Sequence, residues 1–357
     1  MLSSISNAIK LSWKNQKDPD ALPFFRQLKE MFLLQIKIGF GPGNYHRYKL
    51  WQKDMPWQQK LGYWHDQKYY RFLNKVNPLS YRIMARNKVL AKSLLEFYDI
   101  PDAEYLCFLS KNNGFLADGK PITTLAVLGD MLKQRTDLTK ICFKPVAGSG
   151  GEGFCAVEIE RNNDEIKLRE LSKDRSLNVS DFVTQLMATN NDSDYIIEKY
   201  LEQHPALAAF NPSSLNTLRV WVGQRENEKA KVIAIYLRIG RQGSMVDNLL
   251  SGGFGIAIDP EDFKTTLAMS LDSSKPTVKT HPDTGYNMFE QQLPFREEVI
   301  ALSEKVISIL PHTTFVGLDI ALTPEGPVIV EFNLAPTAIG AYVINSSHQQ
   351  LLGWLDQ

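Results

Sequence analysis

The segment FVGLDIALTPEGPVIVEFNLAPT, Phe315 to Thr337, reads as two strands joined by a tight turn. FVGLDIAL and PVIVEFN both alternate, the pattern of half-buried strands. Between them Pro324-Glu325-Gly326 supplies a preset φ and a residue tolerant of positive φ, as a short hairpin loop requires. With a three-residue loop, Asp319 faces Glu331 across the ladder. Asn333 lies two residues beyond Glu331 and so points to the same face. Leu318, Ile320, Val330 and Phe332 then form the opposite, apolar side. An Asp, a Glu and an Asn gathered on one hairpin are costly to bury without a partner. Hard oxygen donors of this kind suit Mg2+, which keeps waters and takes its remaining ligands from nucleotide phosphates. The competing reading is a sheet edge with solvated charges, and the cost of burial favours the metal.

The chain has 357 residues, enough for two or three lobes with a real core. Its hydrophobic fraction of 43% and charged fraction of 22% fit a soluble globular protein and set aside the disordered and fibrous classes. Cys107, Cys142 and Cys155 show neither disulfide nor zinc spacing, which points to a reducing, cytoplasmic setting. The opening MLSSISNAIKLSWKNQKD has no uninterrupted apolar core, so it does not read as a signal peptide. The longest early apolar run, MFLLQIKIGF, is too short to span a bilayer and holds Lys37. No transmembrane segment, internal repeat or low-complexity tract is apparent.

Net charge is zero but unevenly spread. Residues 1–100 carry 17 Lys/Arg against 7 Asp/Glu, and they hold four of the six tryptophans. A basic, aromatic region suggests an acidic partner: a polyanionic glycan, a nucleotide-linked sugar, a membrane surface or a nucleic acid. A helical lobe with an aromatic core and a solvated basic rim explains the same composition. No nucleic-acid-binding module is present, so that partner ranks last. The oligomeric state is not written in the sequence, and a homodimer is compatible with it.

Residues 1–85 read as mainly helical, broken by Pro23, the turn Gly39-Phe-Gly-Pro-Gly43, Pro56 and Pro78. A helix over 86–98 puts Val89, Leu90, Leu94, Leu95 and Tyr98 on one side. AEYLCFL reads as a strand, residues 122–138 as a helix and KICFKP as a strand. Gly148-Ser149-Gly150-Gly151-Glu152-Gly153 follows. It matches G-x-G-x-x-G in form, but Phe154 to Glu160 after it reads as a strand, whereas a dinucleotide fingerprint needs a helix there. A Walker loop is excluded because no Lys-Ser/Thr follows the glycines, and a protein kinase because HRD and DFG are absent. What remains is a glycine-rich flap between two strands. Its N–H groups can approach phosphates closely, and Lys144 just before it can reach the same phosphates. A plain hairpin with a flexible tip is the alternative.

Residues 161–194 are polar, with a helix around 179–187. Tyr195 to Leu201 is a strand leading into Glu202-Gln203-His204-Pro205. Asn216 to Val222 is another, with Arg219 and Trp221 on one face. Lys231 to Ile239 is a third, with Arg238 opposite Ile235, Leu237 and Ile239. Residues 240–255 are rich in turns, and residues 295–310 form a helix that returns to the hairpin. A loop at Pro336–Gly340 and a short helix end the chain.

A lysine before a glycine-rich hairpin, a strand ending Ile-Ile-Glu-Lys, an N-T-x-R strand and a final Asp…Glu-x-Asn hairpin occur in that order. Together they resemble the ATP-grasp superfamily. The wording EKYLEQHP, SLNTLRV, VDNLLSGGFGIAID and GLDIALTPEGPVIVEFNLAPT is similar to its sugar-transfer-associated, α-L-glutamate-ligase-related branch, over roughly residues 86–340. The resemblance implies an α+β fold, two lobes gripping ATP, preceded by a mainly helical N-terminal lobe. It divides the chain into residues 1–85, a first lobe over 86–200 with the glycine-rich loop, and a second over 201–357 with the metal hairpin. It implies that Lys88 and Lys144 contact ATP phosphates and that Gly148, Ser149, Gly150, Gly151 and Gly153 close over them. Glu198, Lys199, Tyr200 and Leu201 would read adenine, and Glu202 the ribose. Asp319, Glu331 and Asn333 would hold Mg2+. Many relatives carry an arginine just before the Asp ligand; here Gly317-Leu318 stands there, so the phosphate-clamping role passes to Arg219 or Arg238. Asn248 and the Ser251-Gly-Gly loop would line the acceptor pocket, unless they form a simple turn. His204 could serve as a base or as a structural loop histidine.

The activity so implied is an ATP- and Mg2+-dependent carboxylate–amine ligase working through an acyl phosphate. An amino acid would be joined to a sugar acid, glycan precursor or peptide-like acceptor, as in polysaccharide biosynthesis. An ATP-grasp phosphotransferase acting on a hydroxyl, or a nucleotide-binding regulatory protein, would use the same nucleotide site.

Overall fold

The computed structural model of the chain describes residues 2–111, 113–148, 150–162, 165–173, 175–191, 193–271 and 277–356. The chain opens with α1 (Leu2–Asn15), α2 (Phe24–Ile38), α3 (Pro42–Arg47), α4 (Trp57–Leu61) and α5 (Asp66–Val76). The breaks fall where proline and glycine dictate. Pro23, Pro56 and Pro78 each stand just ahead of a helix, where a missing N–H costs nothing. Gly39 ends α2 in the left-handed conformation, at φ 66°.

Next come α6 (Ile83–Arg86) and α7 (Lys88–Phe97). The single helix expected over 86–98 is divided at Asn87, whose side chain caps α7 by accepting from the N–H groups of Val89 and Leu90 at 3.0 and 3.2 Å. Its buried stripe is also rotated from the expected one. Leu95 is buried and Ala91 and Leu94 pack against the core, but Leu90 and Tyr98 are exposed.

The first sheet is built from β1 (Tyr105–Leu109), β2 (Gly114–Leu116), β3 (Lys140–Pro145), β4 (Cys155–Asn162), β5 (Glu165–Glu170), β6 (Arg175–Asn178) and β7 (Tyr195–Lys199). Among the described residues its order is β2-β1-β7-β3-β4-β5-β6, antiparallel throughout. Helices α8 (Leu125–Gln134) and α9 (Val179–Thr189) cover one face, packing Leu128, Leu132, Phe182 and Val183 onto Ile141, Phe143, Val157 and Ile197. The strands β5 and β6 were not expected in the polar 161–178 stretch. They are amphipathic ribbons whose alternation is masked by charged pairs such as Arg175–Glu170.

After α10 (Pro205–Ala208) the second sheet takes β8 (Thr217–Gly223), β9 (Lys231–Ile239), β10 (Phe254–Ile258), β11 (Thr265–Met269), β12 (Thr277–Val278), β13 (Phe315–Thr323) and β14 (Gly326–Asn333). Its order among the described residues is β12-β11-β10-β9-β8-β13-β14. Helix α11 (Arg296–Ile309) lies on one face, over Leu218, Val220, Ile235, Leu237, Leu318 and Ile320. The opposite face carries Trp221, Tyr236 and Phe315. The N-terminal helices cover it, together with α12 (Gly340–Val343) and α13 (His348–Leu352). The N-terminal aromatic residues therefore share one core with this sheet.

The deciding hairpin has the expected pairing but a different turn. Thr323 pairs with Gly326, so the loop has two residues, and the register shifts beyond Ile320↔Ile329 to restore Asp319↔Glu331. Val330 is the extra residue of this bulge. It lines the cleft described below, and Ile329, not Val330, joins the apolar side with Leu318, Ile320 and Phe332.

Asn77 fastens the N-terminal helices to this hairpin. Its buried amide donates to the carbonyls of Phe315 and Leu334 at 2.5 and 2.7 Å and accepts from the N–H groups of Thr314 and Phe315 at 3.1 and 3.2 Å. Asn77→Ala takes a partner from the buried Phe315 and Leu334 carbonyls and the Phe315 N–H, at about 1–3 kcal/mol for each group left unpaired, while the Thr314 N–H keeps the Val76 carbonyl at 3.3 Å. Urea unfolding should show a loss of at least about 2 kcal/mol, with an unchanged far-UV spectrum before the transition.

Candidate functional site

A cleft of about 970 Å³ is lined by both sheets, by α7 and by part of the N-terminal region. One wall comes from β3, β7 and α7. On β3 and β7, Ile141, Phe143, Tyr195 and Ile197 face the helices, so Lys144 and Glu198 turn to the cleft. Lys144 Nζ lies 2.5 Å from Glu198, and Lys92 Nζ lies 3.0 Å from Glu198 and 2.6 Å from Asp102. Burial raises the Glu198 carboxyl, but Lys144 and Lys92 outweigh it and hold Glu198 below its ordinary value. Burial likewise disfavours the charged Lys144, yet Glu198 leaves it above the usual lysine value. Lys88 enters from the first turn of α7. Its N–H donates to the carbonyl of Val146 at 3.0 Å, tying the helix start to the strand that precedes the glycine loop. Burial pushes its amine down, opposed by Glu331.

Lys92 was not singled out from the sequence. The signal was available: it stands one helical turn after Lys88, on the same side of α7. Asp102 was missed as well, because only the folded chain brings it beside β14, where it bridges to Ile329.

The glycine-rich loop joins two antiparallel strands, as expected. Gly150, Gly151 and Gly153 all have φ between 70° and 79°, a conformation side chains resist, and a Cβ on Gly151 would fall 2.5 Å from Val246. Gly148, Gly150 and Gly151 line the cleft. Gly153 instead packs beside Pro145 and Asn190, and Ser149 lies outside the described residues. Lys199, Tyr200 and Leu201 line the cleft, whereas Glu202 is exposed and paired with Lys140 at 3.2 Å. His204 caps α10, accepting from Ala206 N–H at 3.1 Å, which is the structural of its two expected roles.

The other wall is a row of charges across β14, β13, β8 and β9. Asp319 stands opposite Glu331 on one side and Arg219 on the other. Two nitrogens of Arg219 donate to Asp319, one of them at 3.0 Å. Arg238 donates to Asp319 at 2.7 Å and to Thr217 Oγ1 at 2.8 Å, and it lies 3.3 Å from Asp247. Gly317 shows why no arginine precedes Asp319 in its own strand: a Cβ there would already stand 3.5 Å from Arg219 and 2.8 Å from Pro336. Asn333 donates to Glu331 at 3.2 Å. Asn248 sits across the cleft, with its amide 3.5 Å from the Gly150 carbonyl and its oxygen accepting from Leu250 N–H at 3.0 Å. It is thus both a turn residue and a contact to the flap. Asp247, beside it, falls in the turn-rich stretch 240–255 and was not singled out from the sequence. Its partners Thr217 and Arg238 become visible once β8 and β9 pair.

Burial opposes the charge of Asp319, but Arg219 and Arg238 hold it below the usual carboxylate range. Burial and the neighbouring Asp319 push Glu331 up. Asp247, Asp319 and Glu331 thus face two guanidiniums, leaving an excess of negative charge centred on Glu331. Among the described residues no three His, Cys, Asp or Glu side chains gather as a metal cage. Two carboxylates and the amide oxygen of Asn333 remain, a hard donor set that fits a divalent ion completing its shell with water and phosphate oxygens.

A family model described as sugar-transfer associated ATP-grasp matches residues 67–350. The chain belongs to that family, and its two antiparallel sheets form an ATP-grasp fold. Among solved structures it is similar to D-alanyl-alanine synthetase A from Vibrio cholerae, at 14% identity over 76% of this chain and 60% of that one, with a TM-score of 0.40. It is similar to D-alanine–D-alanine ligase from Bacillus anthracis complexed with ATP, at 14% identity over 76% and 64%, TM-score 0.40. The N5-carboxyaminoimidazole synthase from Aspergillus clavatus, in complex with ADP and an aminoimidazole ribonucleotide, gives 11% identity over 81% and 60%, TM-score 0.39. The chain spans 60–64% of the length of these solved chains. No curated protein matches it.

The repulsion between Asp319 and Glu331 has a measurable sign. A carboxyl whose value is raised by folding contributes stability below its unfolded value and loses it as pH rises through the folded one. In metal-free buffer, Glu331→Gln should therefore unfold at a higher temperature than the parent at pH 7–8. The gain should vanish below about pH 4, where Glu331 is protonated in both states.

Proposed function

We propose that the protein is an ATP- and Mg2+-dependent carboxylate–amine ligase. The observation that carries this reading is the opposite excess charge on the two walls of one cleft. Lys88 and Lys144 outnumber Glu198 on the first wall, and Asp319, Glu331 and Asp247 outnumber Arg219 and Arg238 on the second. Triphosphate oxygens suit the first wall, and a divalent cation bridging to them suits the second. In this reading residues 86–200 hold the phosphates, residues 201–357 hold the metal, and residues 1–85 close the acceptor end.

The Lys199–Leu201 backbone reads the adenine, and Lys88 and Lys144 bind the β- and γ-phosphates beneath the Gly148–Gly151 flap. Asp319, Glu331 and Asn333 hold Mg2+, which when bound neutralises the charge that develops on the transferring phosphoryl group. Arg219 and Arg238 fix Asp319, and Arg238 is placed to meet the phosphoryl oxygens. A substrate carboxylate attacks the γ-phosphorus and releases ADP, and an amine then displaces phosphate from the acyl phosphate. The protein's work is positioning and charge neutralisation, so it needs no covalent nucleophile of its own. Asn248, touching the flap, lines the acceptor end. The family description and the basic residues 1–85 favour a sugar acid, glycan precursor or peptide-like acceptor.

ADP release should be followed against a panel of amino acids, uronic acids and nucleotide-sugar acids, with products weighed by mass spectrometry. A product lighter than its two substrates by one water, and a hydroxamate when hydroxylamine replaces the amine, is the expected result. A product heavier by one phosphate would identify a phosphotransferase instead. Glu331→Gln should abolish ADP formation with the fold intact. Lys144→Ala should weaken ATP binding by tenfold or more, since it removes about 1.5–3 kcal/mol of charge-assisted hydrogen bonding. Titration calorimetry checks it, and unchanged affinity would remove Lys144 from the phosphate site.

A further inference from the structure

Helix α2 is apolar on two opposite sides. Its inner side buries Met31 and Leu34, with Gln27 and Glu30 also turned inward. Its outer side presents Phe25, Phe32 and Ile36, spaced i, i+7 and i+11 and therefore on one face, at 81%, 65% and 65% exposure. A soluble helix needs only the first stripe. Helix α1 adds a second exposed row, Ile5, Ile9 and Trp13, at i, i+4 and i+8. The rows are continuous, because Trp13 packs edge-on against Phe24 at 5.5 Å and Phe24 against Phe25 at 5.3 Å.

The exposed charge on these two helices has one sign. Lys10, Lys14, Arg26, Lys29 and Lys37 are all exposed on the two helices. The carboxylate that the two helices carry, Glu30, is buried and neutralised by Lys60 at 2.7 Å. The connecting segment adds Lys17, Asp18 and Asp20. Exposed aromatic and branched side chains ringed by lysine and arginine match the interfacial zone of a bilayer bearing anionic headgroups. Trp and Phe settle there at the acyl boundary, while the basic side chains reach the phosphates. No helix among the described residues is long and apolar enough to cross a membrane, so such contact lies in the surface plane.

We infer that the outer faces of α1 and α2 dock the protein on an anionic membrane surface. This binding function is separate from the nucleotide cleft: none of Ile5, Ile9, Phe25, Phe32 and Ile36 lines it. It would bring the active site to acceptors held at a bilayer.

The test is co-sedimentation of the full chain with vesicles of phosphatidylcholine alone, or of phosphatidylcholine with phosphatidylglycerol as about one lipid in four. The inference expects pelleting with the anionic vesicles only, weakened by raised salt. It expects a loss of tenfold or more in the triple variant F25S/F32S/I36S and in the charge variant K10E/K14E/K29E. Those side chains are exposed, so thermal unfolding and ATP binding should be unchanged in both variants. Failure to pellet with anionic vesicles, or pelleting that survives F25S/F32S/I36S, would overturn it. So would a concentration-dependent dimer in sedimentation velocity that this triple variant dissolves without any vesicle binding by the parent, since the patch would then be covered by a second copy of the chain. Because the readout is partitioning, a wrong assignment of the reaction leaves this result untouched.

Discussion

The carboxylate of Asp319, almost fully buried at the cleft wall, is gripped by two guanidiniums. Arg219 comes from the adjoining strand and Arg238 from the strand beyond it, so the contact runs across three strands of the second sheet. Breaking one partner of such a buried pair costs about 3–5 kcal/mol, because the remaining charge is left uncompensated. This fixes the register of β8, β9 and β13 as firmly as the apolar face behind them. It also fixes Glu331, which is carried opposite Asp319 by the ladder and lies too close to another carboxylate to rest comfortably alone.

Helix α7 extends that constraint to the other wall. Its first turn is sewn to the end of β3 through Asn87 and Lys88, and Lys92 reaches Glu198 on β7. The segment after it bonds to β14, where the Ile329 N–H meets the Pro101 carbonyl at 2.8 Å. The positive wall and the negative wall are therefore positioned by one ten-residue helix and its tail. The glycine loop, among its described residues, meets Val246 and Asn248 across the cleft.

The hairpin was legible because strand alternation and cross-strand pairing are local. Asp319, Glu331 and Asn333 could be placed on one face from their spacing alone. The bulge at Val330 was not legible, since a two-residue turn with a bulge and a three-residue turn without one give the same pairing for Asp319. Arg219 and Arg238 could be nominated because each breaks an apolar alternation. Their shared partner could not be named, because it lies 100 and 81 residues away. Lys92 was overlooked because a lysine on a helix is ordinarily a solvated one. The outer strands β10 to β12 escaped notice because turns and polar residues interrupt their short apolar runs.

The N-terminal aromatics close the face of the second sheet that bears Trp221 and Phe315. Tyr69 donates to the Pro336 carbonyl at 2.8 Å, and Trp64 stacks on His348 near the C-terminus. The family match begins only at residue 67. What kinship makes recognisable is thus smaller than what must condense together. A fragment trimmed to the recognisable part would lose α1 to α4 and uncover the side of this shared core that Phe40, Tyr45, Tyr48, Trp51 and Tyr63 close. A lineage that exchanged its first helices would have to rebuild that face at the same time, so the front of the molecule and the sheet beneath it are bound to change together.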